Sequence, residues 1–178
     1  MGGSRVIRTP WFQTAPARML RWAACVVLLA ALAAWWLQPR REPARFAEFR
    51  QQMIQTLERA EGPLDLASPD LQEIRRWLAA RQAPDHLPAG SRLGESAPLG
   101  CRLLRWQGRP VALICFRLDG GRRAHLLVAA TDAFADPPPA EPTLARQDSW
   151  TTAAWSRGDW AYLLAGRDVS PEELQRLL

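Results

Sequence analysis

The stretch Cys101-Arg102-Leu103-Leu104-Arg105-Trp106-Gln107-Gly108-Arg109-Pro110-Val111-Ala112-Leu113-Ile114-Cys115-Phe116-Arg117-Leu118 decides the fold. Residues 111–116 are apolar at nearly every position, the pattern of a central strand covered on both faces. Residues 101–106 form a second strand-like run, and Gln107-Gly108-Arg109-Pro110 between them has the chemistry of a tight turn, so the segment predicts an antiparallel hairpin. Asp119-Gly120-Gly121 turns the chain again into a strand over 124–130. Beyond a proline-rich loop at 136–142, two more strands are expected over 149–156 and 160–165, joined at Arg157-Gly158-Asp159.

The flanking segments read as helices. Over 44–58, Phe46, Phe49, Met53 and Leu57 recur at intervals of three and four, one apolar stripe with charges opposite. Glu61-Gly62-Pro63 ends that helix. Ser68-Pro69-Asp70 starts a second, with Ser as cap, carrying Leu71, Ile74, Trp77 and Leu78 and finishing near Gln82. Residues 83–100 hold three prolines and three glycines and read as a connector. Ser170-Pro171-Glu172-Glu173 is a capping box before a short last helix through Leu178. The expected class is α+β: an antiparallel sheet of about five strands packed with two or three helices.

Ahead of this domain lies a charge-free apolar run over 22–37. Extended back to Met19, it is long enough to cross a bilayer as one helix. Trp22 at one end and Trp35-Trp36 at the other suit the lipid–water boundary, and Arg18, Arg21, Arg40 and Arg41 flank both ends. The expected division is a short cytoplasmic tail over 1–18, a transmembrane helix over 19–37, a linker over 38–43 and an exported domain over 44–178. Arg5, Arg8, Arg18 and Arg21, with no acid among the first 21 residues, favour a cytoplasmic N-terminus and a signal anchor. Ala31-Leu32-Ala33 leaves a cleaved signal peptide as the alternative.

The chain of 178 residues has a net charge of +5 and a pI of about 10.3. Four of those five charges lie before the apolar run, where they meet anionic lipid heads, so the basicity does not argue for nucleic acid. The expected partners are the lipid bilayer and another protein, with no nucleic acid. The chain has neither Lys nor Asn, which makes Arg the default cation.

No nucleophile elbow, phosphate-binding loop, dinucleotide fingerprint or zinc-protease pair occurs. The reading is therefore not an enzyme, with no catalytic, cofactor-binding or metal residue assigned and no cofactor expected. One cluster has chemical potential: Cys101, Cys115 and His125. If the first hairpin closes with a three-residue loop, Trp106 faces Pro110 and Cys101 falls opposite Cys115. If the second pairs Leu118 with Arg122, Cys115 falls opposite His125. Cys101 and Cys115 are then a possible disulfide or redox pair with His125 nearby, or two small buried apolar residues. A slip of one residue dissolves the group. His86 reads as a solvated loop residue, and Trp155 and Trp160 as a possible cross-strand pair.

Residues 99–116, followed by Ala124-His125-Leu126-Leu127-Val128, Trp150-Thr151-Thr152-Ala153-Ala154-Trp155-Ser156 and Tyr162-Leu163-Leu164-Ala165, resemble the extracytoplasmic domain of a group of bacterial single-span membrane proteins. That group is related to anti-sigma factors and transmembrane regulators. The resemblance implies an inner-membrane location and signalling across the membrane. The His-x3-Cys-x2-Cys helix of zinc-type anti-sigma domains is missing from the residues before the span. The expected function is thus a membrane-anchored binding or sensing domain in envelope signalling, anti-sigma-factor-like but lacking a cytoplasmic sigma-binding domain. The alternatives are a periplasmic redox or metal-handling protein using Cys101, Cys115 and His125, and a structural subunit of a membrane complex.

Overall fold

Strand β4 (Arg109–Arg117) buries every residue from Val111 to Phe116, because helices cover the sheet above and below it. This computed structural model describes residues 44–59, 63–88 and 91–178, all within one compact unit. The expected tail, membrane span and linker, with Arg18, Arg21, Trp22, Trp35, Trp36, Arg40 and Arg41, lie outside the described residues. Among the described residues no helix is long and apolar enough to cross a membrane.

The class is α+β, and the sheet is larger than the expected five strands. Strands β2 (Leu66–Ala67), β3 (Pro98–Trp106), β4, β5 (Arg123–Ala130), β9 (Trp160–Arg167), β8 (Trp150–Arg157) and β7 (Thr143–Gln147) lie side by side in that order, every neighbour antiparallel. The five central strands carry the apolar runs that sequence patterning detects. The two outer ones escape it for physical reasons. β2 is two residues long, and β7 is a mostly exposed Thr-Leu-Ala-Arg-Gln segment whose only burial comes from one side.

One face of the sheet packs on α1 (Phe46–Arg59), which buries Phe46, Phe49, Met53 and Ile54. Two residues before it, β1 (Ala44–Arg45), pair in parallel with β6 (Phe134–Asp136), and Phe46 N donates to Asp136 Oδ1 at 2.7 Å. The entry to α1 is thus fixed by backbone pairing and by an acceptor for its first free N–H. Phe49 stands edge-on to Phe134 at 5.1 Å and to Trp106 at 5.5 Å, filling the space over Val111 and Leu113. Truncating a side chain this buried, as in Phe49→Ala, costs about 3–5 kcal/mol.

The opposite face carries α2 (Leu71–Ala79) and α3 (Pro171–Gln175), with Ile74, Leu78 and Leu174 fully buried over Ile114, Phe116, Leu126 and Leu164. The cap of α2 falls on Asp70, whose side chain accepts from Gln72 N, instead of on Ser68. Ser68 accepts from Asp70 N and donates to Glu73, one step outside the helix. At α3 the expected box forms, Ser170 Oγ accepting from Glu173 N. Trp155 stacks on Tyr162 at 5.2 Å, its register partner, rather than on Trp160.

The first hairpin corrects the expected register. Trp106 pairs with Arg109 across a two-residue loop in which Gln107 and Gly108 both have positive φ (48° and 82°), a geometry whose twist suits a hairpin. Cys101 therefore lies opposite Ile114, and Gly100 lies opposite Cys115. The one-residue slip sends the two sulfurs to opposite faces: Cys101 to the α2 side, Cys115 to the α1 side.

Candidate functional site

Beside the C-terminal end of α1, a cleft of about 570 Å³ is lined by residues at the ends of β5, β8 and β9. That size falls within the range of small-molecule pockets, about 300–1,000 Å³. Leu57 and Glu58 form the helix wall. Trp150 from β8 forms the facing one, tied to the helix where its Nε1 donates to Glu58 Oε1 at 3.1 Å. His125 from β5 lies between them, its ring 6.0 Å from that of Trp150. Gly121 and Arg122 from the β4–β5 turn, and Asp168 just past β9, complete the rim with Arg123 and Arg167.

The second hairpin positions His125. Leu118 N donates to Arg122 O and Arg117 pairs with Arg123, so His125 lands directly opposite Cys115. The Cys115 Sγ to His125 Nδ1 separation is 3.3 Å. Burial dominates the protonation of both groups. It pushes the Cys115 thiol up to about 11, against the opposing pull of Arg123 and Arg102. It pushes His125 down to about 4, with Arg123 adding to the effect. Near neutral pH the two are thus a thiol and a neutral imidazole. A Cys–His nucleophile needs the thiolate, which this surrounding disfavours by orders of magnitude.

Cys101 is fully buried on the other face, its thiol raised to about 11 by desolvation first and by the Asp65 charge second. Cys101 and Cys115 are both free thiols, and with their side chains on opposite sides of the sheet they cannot be bridged at this register. Of the three residues expected to cluster, the fold brings Cys115 and His125 together and separates Cys101 from both. Among the described residues no group of three or more His, Cys, Asp and Glu side chains is gathered to hold a metal. His86 lies far along the chain from the cleft, stacked on Trp160 at 4.8 Å with Nδ1 2.9 Å from Asp85 Oδ1.

The cations of the rim differ in commitment. Arg122 is bound in fork geometry by Glu173, with contacts of 2.7 Å and 2.5 Å, and also donates to Asp168 O at 3.3 Å. Its hydrogen bonds to Glu173 hold that carboxyl below the usual range and raise the guanidinium in turn. Arg122 is therefore structural, pinning the turn to α3. The side chains of Arg123 and Arg167, exposed at the sheet end, make no hydrogen bond or ion pair with the described residues. Sequence reading missed these two. The available signal was the alternation that puts Arg123 and His125 on one face of β5.

No protein-family model, curated protein or solved structure matches this chain.

Proposed function

We propose that this protein is a membrane-anchored binding domain of bacterial envelope signalling, sensing a ligand in the cleft at the end of α1, and that it is not a catalyst. The observation that carries the reading is the cleft itself: it has the volume and mixed lining of a ligand site, while its one thiol–imidazole pair is held neutral. The helix that forms one wall begins at Phe46, nine positions after Leu37 ends the apolar run over 22–37. A ligand bearing on Leu57 and Glu58 therefore acts on the element next to the anchor in sequence. The resemblance to exported domains of anti-sigma-like regulators points the same way. The redox alternative has less support, because Cys101 and Cys115 lie on opposite faces.

The test is topological. Alkaline phosphatase fused after Leu178 is expected to be active, and a green fluorescent protein fused there to be dark. The reverse pattern, or recovery of the chain in the soluble fraction, overturns the reading. Deleting residues 2–18 then asks whether output passes through the tail; unchanged signalling argues for a separate partner protein.

A further inference from the structure

We propose that the cleft binds a small organic oxyanion, its carboxylate or phosphate held between Arg123 and Arg167 and its apolar body against Leu57 and the edge of Trp150. This inference rests on reading the protein as a binding domain and names the ligand class of that site.

The argument starts from register. Arg117 on β4 lies directly opposite Arg123 on β5. On the other side of β5, Ala124 pairs with Gly166, so the next step along both strands brings Arg123 level with Arg167. Three arginines thus stand in a row across three adjacent strands. Like charges opposite one another destabilise a sheet, and Arg167 faces Trp150, not an acid, on its far side. Such a conflict between local sequence and fold is expected where the unfavourable charge serves a ligand.

The remaining features fit an anion with an apolar part. The guanidinium fork binds carboxylate or phosphate with two parallel hydrogen bonds. His125 engages Cys115 through Nδ1, leaving Nε2 as the ring nitrogen for the cleft. Trp150 is only 3 % exposed and is held by Glu58, so a fixed edge of its ring borders the cleft at no ordering cost, while the half-buried Leu57 supplies the larger apolar contact. Glu58 on the helix wall disfavours negative charge at that side of the ligand, which leaves the anionic group to the arginine end.

The experiment uses the full chain in detergent micelles, titrated calorimetrically and followed by thermal unfolding with phenyl phosphate, benzoate, inorganic phosphate and benzamide. Phenyl phosphate and benzoate are expected to bind with one site and raise the melting temperature. Inorganic phosphate, lacking the ring, and benzamide, lacking the charge, are each expected to bind about tenfold more weakly or worse. Arg123→Gln and Arg167→Gln should each weaken benzoate about tenfold, while Arg146→Gln on exposed β7 should bind like the wild type. Because each cleft substitution relieves crowding of like charge, the ligand-free variants should melt at or above the wild-type temperature. Binding of benzamide as tight as benzoate, wild-type affinity in both arginine variants, or no anion binding up to about 10 mM would overturn the proposal. So would a ligand-free loss of stability in both variants, which would assign the row a structural role. A negative result here leaves the reporter-fusion result standing, so the two readings fail separately.

Discussion

Trp150 Nε1 donates to Glu58 Oε1 at 3.1 Å, and among the described residues this is the side-chain hydrogen bond that joins the last turn of α1 to β8. It connects residues 92 apart in sequence and closes one side of the cleft. Beneath it, Ile54 and Leu57 pack with Trp150 and Ala165 in a small apolar cluster of their own.

Removing the acceptor should loosen that end of the helix without unfolding the sheet. Glu58→Ala is expected to lower unfolding free energy by about 1 kcal/mol, with Glu58→Gln recovering most of it, since the amide oxygen can still accept. Hydrogen exchange should report faster opening of the last turn of α1 and unchanged protection of β4 and β5. Equal acceleration everywhere would mean that the bond supports the whole fold.

His125 makes stability depend on pH. Its folded value of about 4 lies below its ordinary value of 6.5, so the unfolded chain binds the extra proton first as pH falls. The stabilising contribution is complete above about pH 6.5 and is lost progressively down to pH 4. Urea titrations at pH 7 and pH 5 should differ by about 2 kcal/mol more in the wild type than in His125→Leu. A variant with the same pH slope as the wild type would show that the imidazole is not held neutral by its site.

The register of the first hairpin predicts thiol behaviour. With the third cysteine, Cys25 of the apolar run, replaced as Cys25→Ser, diamide under native conditions should yield no intramolecular disulfide, and both Cys101 and Cys115 should react with alkylating agents only on unfolding. Mass spectrometry of peptides checks this directly. A Cys101–Cys115 bridge recovered from folded protein would require the three-residue loop and a sheet shifted by one residue.

Gly100 is the point at which β3 bends to meet β2. Its φ is +142°, and a Cβ there would stand 2.1 Å from Leu66 O and 2.9 Å from Ala67 Cα. Both neighbours are backbone and cannot turn aside. Gly100→Ala should destabilise by about 3 kcal/mol, from strain and forced separation of the two strands. Chemical denaturation measures the loss, and Gly94→Ala, with open space around its Cβ, is the control.

The central strands were legible in the residues because Val111 to Phe116 and Leu126 to Ala129 are too apolar to lie anywhere but inside. The position of Cys115 beside His125 was also legible, since Asp119-Gly120-Gly121 leaves little freedom in the second turn. The first turn hid its register. Gln107 takes a positive φ that sequence rules reserve for Gly, Asn and Asp, so a two-residue loop competes poorly on paper with a three-residue one. The cleft was illegible for another reason. Leu57, Arg123, Trp150 and Arg167 come from four elements, and only the strand order β5-β9-β8 gathers them. In a chain whose sole strong cation is arginine, no single Arg announces itself.

Among the described residues the edge strand β7 has a neighbouring strand on one side only, which leaves one row of its peptide groups as a template for another polypeptide. The segment leading into it, Asp136-Pro137-Pro138-Pro139-Ala140-Glu141-Pro142, lacks amide hydrogens at four positions and is stitched back by Ser156, whose N and Oγ donate to Pro139 O and Pro138 O. Rigid imino residues beside a five-residue strand carrying Arg146 keep that rim short and unattractive to self-association. The proline run thus guards that rim against fibrillar stacking.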